Sequence, residues 1–226
     1  MNRYASGRPT RIVKRSFDLV VSLVALVLLS PVLCAVAGFI RASIGRPILY
    51  GQIRPGLHEQ PIRVWKFRTM TDARDDEGRL LPDGMRLTRG GRWLRERSLD
   101  ELPQLINVLM GDMSLVGPRP LLYRYLDRYT TRQRLRHTVK PGITGWAQIN
   151  GRNASDWETR LEHDAWYAEH VSLALDARIL IATGWRLIDR HDVLAGAGAE
   201  LDEFWGTAGV PETGPRAYPV EADERT

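Results

Sequence analysis

The strongest constraint on this chain is an uncharged run of 22 residues, from Leu19 to Ile40. About 20 apolar residues suffice for a helix to cross the hydrocarbon core of a bilayer. The run is too long for the apolar core of a cleaved signal peptide, and no convincing small-residue cleavage site follows it. Ser30-Pro31 lies near its middle. Proline removes one helical hydrogen bond and crowds the carbonyl four residues back, so a kink is expected there. The Ser30 hydroxyl is suited to satisfy a backbone group that the proline frees.

Both flanks of the run are basic. Residues 1–16 carry Arg3, Arg8, Arg11, Lys14 and Arg15 and no acid, whereas Arg41, Arg46, Arg54, Arg63, Lys66 and Arg68 follow it against Glu59 alone. Positive flanks mark the cytoplasmic side of a membrane segment. Two positive flanks fit a helix that dips into the bilayer and returns, and a plain kinked span remains equally open on this evidence. The formal net charge of +5 points to an anionic partner: nucleic acid, a lipid surface or a phosphorylated substrate. The cations cluster around the apolar run, and no nucleic-acid-binding motif is present, which argues against nucleic acid. A single cysteine, Cys34, excludes a disulfide framework or a thiolate metal site and is expected to be buried and inert.

Beyond Arg41 the pattern becomes that of an α/β domain, mostly α. Pro47–Tyr50 and Ile62–Thr69 read as short strands around an Arg54-Pro55-Gly56 turn. Residues 72–83 read as a polar loop, and Arg89–Arg97 as a short basic helix. Ser98 to Gly111 reads as a helix, with Ser98 or Asp100 as cap, Pro103 in the first turn and Gly111 as the stop. Leu121 to His137 reads as a basic helix, with Leu121, Tyr125 and Tyr129 at helical spacing. Two further helices are expected at about 155–169 and 176–188. The boundaries are thus a basic arm (1–16), a membrane helix (17–44), a catalytic domain (45–194) and an acidic, loosely attached tail (195–226). The tail holds seven acids and two arginines.

Chemistry concentrates at Asp100-Glu101. Neighbouring carboxylates on a helix point about 100° apart and are suited to different tasks, one as nucleophile and one on a metal. The bland alternative is a capping box, Ser98-x-x-Glu101. Lys66 and Arg68 share a strand face, and Arg119 stands between Pro118 and Pro120. All three are candidates for phosphate contacts, or plain surface cations. Asp164, beside Trp166 and Tyr167, is a candidate ligand or an ordinary surface acid. The five histidines lack metal-ligand spacing and are expected at the surface. No P-loop, GxGxxG or GxSxG motif is present, which removes the main support for ATPase, dinucleotide and serine-hydrolase readings.

Four stretches, taken in order, carry a family resemblance: 66–70 (KFRTM), 98–104 (SLDELPQ), 107–120 (NVLMGDMSLVGPRP) and 140–146 (KPGITGW). They resemble the bacterial sugar transferases, the monotopic polyprenyl-phosphate phosphoglycosyl transferases, in their small catalytic-core form. The likeness runs from about Lys14 to Ile188. It implies a re-entrant membrane helix broken at Ser30-Pro31, with Asp100 as nucleophile and Glu101 as its dyad partner and Mg²⁺ ligand. It also points to Lys66, Arg119 and Asp164 in the active site; Arg68 is added on strand geometry alone. The implied reaction moves a sugar-1-phosphate from a UDP-sugar to polyprenyl (undecaprenyl) phosphate and releases UMP. That is the first membrane step of surface polysaccharide or glycoconjugate synthesis. The implied setting is the cytoplasmic face of the inner membrane, without nucleic acid and with a homodimer allowed. The competing reading is a membrane-tethered relative without catalysis.

Overall fold

The computed structural model describes residues 8–150, 156–188 and 204–207. The fold is mostly helical with a few short strands. Helix α1 (Arg8–Ser43) leads, followed by an antiparallel hairpin of β1 (Leu49–Pro55) and β2 (Pro61–Phe67). Short helices α2 (Asp83–Arg86), α3 (Arg89–Glu96) and α4 (Gln104–Met110) come next. Strand β3 (Ser114–Val116) then pairs in parallel with β4 (Gly142–Thr144). Helices α5 (Trp146–Asn150), α6 (Trp157–His170) and α7 (Leu173–Ile188) complete the order.

Helix α1 is long and apolar enough to cross a membrane. At about 1.5 Å per residue its 36 residues would reach roughly 54 Å if straight. The helix runs through Ser30-Pro31 and carries Pro31 inside it. The Ser30 hydroxyl donates to the Val27 carbonyl at 2.7 Å, the local satisfaction expected of a serine beside a proline. Val20, Val24, Val27 and Leu28 are exposed along the outer side. Cys34 is exposed there too, contrary to the expectation of a buried thiol. The inner side packs on the domain along its length. Val21, Ala25, Leu26 and Leu29 join the core of Val64, Val108, Met113, Val116, Tyr167 and Ile179. Farther along, Val36 and Ile40 meet Phe67 and Leu94.

Polar contacts pin the N-terminal half of α1. Lys14 pairs with Asp176 of α7 at 2.6 Å, and Asp18 accepts from the Ser114 hydroxyl at 2.8 Å. Arg15 donates to the carbonyls of Val108 and Leu109 in the last turn of α4, where helical carbonyls lack a full set of partners within the helix. Helix α4 ends as expected at Gly111, whose φ of 95° is free of strain only for glycine. Asn107, fully buried, donates to the Arg63 carbonyl and accepts from the Trp65 amide, tying α4 to β2.

Two expected elements take a different form. The single helix from Ser98 is a 3-10 turn (Leu99–Glu101) followed by α4. Ser98 is left-handed (φ 53°) and makes no side-chain cap. The expected helix 121–137 is two 3-10 segments, Tyr123–Arg128 and Gln133–Thr138. Tyr123, Tyr125, Leu126 and Tyr129 are all buried there, too many for the one buried face an amphipathic α-helix offers. Within the stretch expected to be loosely attached, Phe204 is buried among those residues.

Candidate active site

The turn carrying Asp100 and Glu101 lies between the end of β2 and the loop of Arg119. Because Asn107 fixes α4 against β2, the last turn before α4 is brought to Lys66. Lys66 donates to Glu101 Oε1 at 2.7 Å. Arg119 reaches the same carboxylate as a fork: one nitrogen donates to Oε2 at 3.0 Å, and the other to Oε1. The loop that presents Arg119 is held by the Gly117 amide on the Thr144 carbonyl and the Gly142 amide on the Pro118 carbonyl. The chains cross so closely that a Cβ on Gly117 would stand 2.3 Å from the Lys140 carbonyl oxygen, which only glycine permits.

The two carboxylates differ in environment. Burial alone would raise the Glu101 carboxyl, but Arg119 and Lys66 outweigh it and hold it far below the usual carboxylate range. Asp100 moves the other way: burial, then the neighbouring Glu101, raise its proton affinity against the pull of Lys66, Arg95 and Arg119. Arg95 is oriented by its bond to the Thr69 hydroxyl at 3.0 Å. Lys66 is lowered by burial and by Arg119, with Glu101 opposing. Further cations stand near Arg119. Arg54 is pushed down to about 10 by burial and by Arg119, and Arg160 is lowered by the same two causes. Positive charge thus outweighs the two carboxylates, and the site is suited to a multiply charged anion.

The structure brings Asp100, Glu101, Lys66 and Arg119 together. Arg68 is drawn elsewhere, donating to the carbonyls of Arg46 and Met70 and pairing with Asp72. Asp164 lies behind the site, where its carboxylate accepts from Arg136 at 2.8 Å. Their side chains are only 7% and 1% exposed. Arg136 in turn donates to the Arg119 carbonyl at 2.6 Å and to the Tyr129 hydroxyl at 2.9 Å. Burial would lower the Arg136 guanidinium, but Tyr129 and Asp164 outweigh it and keep it above its ordinary value. The sequence reading missed Arg136 and Arg95 altogether. Arg136 sat in a stretch read as a basic, Tyr-bearing helix, and no local signal marks it as buried. His137 is buried, not at the surface as expected.

Among the described residues no three His, Cys, Asp or Glu side chains group to hold a metal. The donor set still suits Mg²⁺, which takes one or two protein carboxylates and completes its shell from substrate phosphates and water. A carboxylate offers about four lone-pair directions, and Lys66 and Arg119 occupy three on Glu101. One remains, beside those of Asp100.

The profile of the bacterial sugar transferases matches residues 9–190. The chain belongs to the bacterial sugar transferase family. It is similar to the uncharacterized sugar transferase EpsL of Bacillus subtilis (strain 168), 49% identical over 199 residues, covering 88% of this chain and 98% of EpsL. It is also similar to the UDP-glucose:undecaprenyl-phosphate glucose-1-phosphate transferase of Escherichia coli (strain K12), 44% identical over 185 residues. That match covers 76% of this chain and 39% of the relative. The undecaprenyl-phosphate galactose phosphotransferase of Salmonella typhimurium is 38% identical over 202 residues, covering 82% of this chain and 42% of the relative. The chain therefore spans nearly all of EpsL and about two fifths of the two named phosphotransferases.

Proposed function

We propose that this family member transfers a sugar-1-phosphate from a UDP-sugar to polyprenyl phosphate through a covalent intermediate on Asp100. The single observation that carries the reading is the contrast within the dyad. Glu101 is locked by Lys66 and Arg119, while Asp100 stands beside it with raised proton affinity and within the field of the same cations. A carboxylate of raised basicity is the better nucleophile, and an acyl phosphate is reactive enough to pass its group on. The relatives' names supply the substrate class, an undecaprenyl phosphate acceptor and, in Escherichia coli, a UDP-glucose donor.

The steps follow from the charges. An Asp100 oxygen attacks the β-phosphorus of the donor. The bond from that phosphorus to the bridging oxygen breaks, and UMP leaves with the electron pair. An oxygen of the lipid phosphate then attacks the same phosphorus and displaces the Asp100 carboxylate, giving a polyprenyl-diphosphate-sugar. Arg119 and Lys66 offset the negative charge gathered at each step, in a site partly withdrawn from water where such contacts are strong. Mg²⁺, which Glu101 would help to hold, would supply further charge neutralisation.

The membrane reading rests on the way α1 is held. A helix crossing the bilayer separates its ends by about 30 Å of hydrocarbon. Here Lys14 and Arg15 near one end, and Val36 and Ile40 near the other, all pack on the same domain. This supports a re-entrant helix with both ends on the cytoplasmic face of the inner membrane.

Asp100→Asn is the test, in purified protein reconstituted with polyprenyl phosphate and a panel of UDP-sugars. UMP release and the phosphosugar adduct should both vanish while the melting temperature is kept. Turnover unaffected by the change would refute the assignment, and release of UDP in place of UMP would refute the reaction.

A further inference from the structure

Behind the site lies an aromatic cluster that the proposed reaction does not use. Phe204 is 2% exposed and is held on three sides: its ring centroid is 5.6 Å from Tyr125, 5.7 Å from Tyr129 and 5.6 Å from Trp157. The contact with Tyr129 is stacked, at an interplanar angle of 30°. The segment is also pinned by polar bonds. Arg128 donates to the Phe204 carbonyl, and Gln133 donates to the Thr207 hydroxyl at 2.9 Å. Arg128 lies over the Trp205 ring at 4.8 Å. Chain distant in sequence from the catalytic motifs is thus built into the domain.

The cluster connects to the site through one buried arginine. The Tyr129 hydroxyl accepts from Arg136, and Arg136 holds the Arg119 carbonyl and the Asp164 carboxylate. Arg136 Nε has no partner among the described residues, so the guanidinium is held through its two terminal nitrogens alone. A shift of the Tyr129 ring therefore removes one of the guanidinium's three hydrogen bonds, the one made by Nη1. We propose that Phe204 is a positioning residue: by closing the pocket behind Tyr129 it fixes Arg136, and through Arg136 the backbone that aims Arg119 at Glu101. The inference rests on the reaction proposed above only for its kinetic readout. A purely structural role, covering an apolar cluster from water, predicts no special link to Arg119.

The two accounts separate in the full chain reconstituted in nanodiscs. Phe204→Ala should lower kcat/KM for the UDP-sugar by roughly tenfold or more, since a displacement near 1 Å can cost more still. Phe204→Tyr, which keeps the ring, should restore it. Tyr129→Phe removes one oxygen and should reproduce most of the loss. The double variant should be no worse than the worse single, because both act through Arg136. Independently of turnover, amide hydrogen exchange should quicken at Arg119 and across 133–138 in Phe204→Ala and stay unchanged across 104–110. If Phe204→Ala melts too low to assay, Tyr129→Phe carries the same measurements. Unchanged exchange at Arg119, or losses that add in the double variant, would overturn the proposal. Wild-type protein that releases no UMP would instead overturn the reaction, and the exchange experiment would still decide the role of Phe204.

Discussion

Asp164→Asn tests whether this carboxylate is a ligand, one of the two readings the sequence left open, or the buried partner of Arg136 that the fold makes it in place of a surface acid. In the fold it accepts from Arg136 at 2.8 Å, and the two side chains are 7% and 1% exposed, so solvent does not screen the pair. Removing one charge leaves the buried Arg136 guanidinium with neutral acceptors alone, the Tyr129 hydroxyl, the Arg119 carbonyl and the introduced amide oxygen. Breaking a buried pair in this way costs about 3–5 kcal/mol. For a chain of this size each kcal/mol shifts the melting temperature by about 2–4 °C, so the fall should be roughly 6–20 °C. Glu162→Gln is the matched control. It loosens Arg132, whose partners are about half exposed, and should cost about 1 kcal/mol or less. A second variant sharpens the test. Asp164→Leu with Arg136→Met replaces the pair by apolar groups and should recover most of the stability. It should not recover turnover, because the Arg119 carbonyl has lost its donor. Thermal unfolding by near-ultraviolet circular dichroism in detergent, run beside UMP release, reads both quantities. An Asp164→Asn protein that melts within about 2 °C of wild type yet has lost turnover would refute the reasoning and return Asp164 to the chemistry.

Four further outcomes are expected. His137 is pushed down to about 3 by burial and by Arg136 and Arg134, so the folded protein holds it neutral. Its contribution to stability is complete above the ordinary value near 6.5 and is lost as pH falls from there toward 3. Between pH 7.5 and 5.5 the loss should be about 1.4 kcal/mol by linkage, and a His137→Gln protein should show a correspondingly flatter profile in urea titrations at the two pH values. Asp176→Asn leaves Lys14, 14% exposed, without its carboxylate and should lower the urea midpoint by an amount equivalent to about 3 kcal/mol at unchanged slope. Tyr167→Phe, which removes the hydroxyl bonded to Asp176 and the Val116 carbonyl, should cost about 1 kcal/mol. Gly117→Ala drives a Cβ into the Lys140 carbonyl and the Gly142 amide, both backbone. It should cost at least about 2 kcal/mol and, by moving the Arg119 loop, depress UMP release more than its melting temperature suggests.

The elements that were legible in the sequence are those set by local chemistry. The uncharged run from Leu19 became α1, Gly111 ended α4, and Arg54-Pro55-Gly56 closed a hairpin close to where it was expected. Partner choice was not legible, because it is made at long range. Ser98-x-x-Glu101 has the spacing of a capping box, yet Glu101 is taken by Lys66, 35 residues before it, and by Arg119, 18 residues after it. Two full charges at hydrogen-bond distance outweigh one backbone amide. The stretch 121–137 failed for a related reason. Leu121, Tyr125 and Tyr129 do recur at helical spacing, but Phe204 and Trp157 pack on the tyrosines as well, and the segment is divided into two 3-10 pieces. Lys66 and Arg68 share a strand parity, but β2 ends at Phe67, and past its end Arg68 is captured by the Arg46 carbonyl and Asp72.

The position of the dyad follows from the residue just before it. Leu99 packs into the cluster of Leu33, Val36, Ala37 and Ile40, on the C-terminal half of α1. Asp100 is therefore one peptide unit, about 3.8 Å between α-carbons, from a side chain seated on the apolar helix. Lys66, which holds Glu101, is likewise adjacent to Phe67, which enters the same cluster. In the proposed reaction the acceptor's tail lies in hydrocarbon, so it can bring only its phosphate to the enzyme, and only to headgroup depth. A nucleophile placed by a mobile loop would meet that phosphate rarely. Here the turn is fixed from below by Leu99 on α1, from the side by Lys66, and from above by Arg119, whose own loop is fastened through Arg136. Each fastening comes from a different element, so no single one sets the site alone. That arrangement explains why a small domain invests buried charge behind an active site: Arg136 and Asp164 hold a cation whose aim the apolar contacts cannot supply.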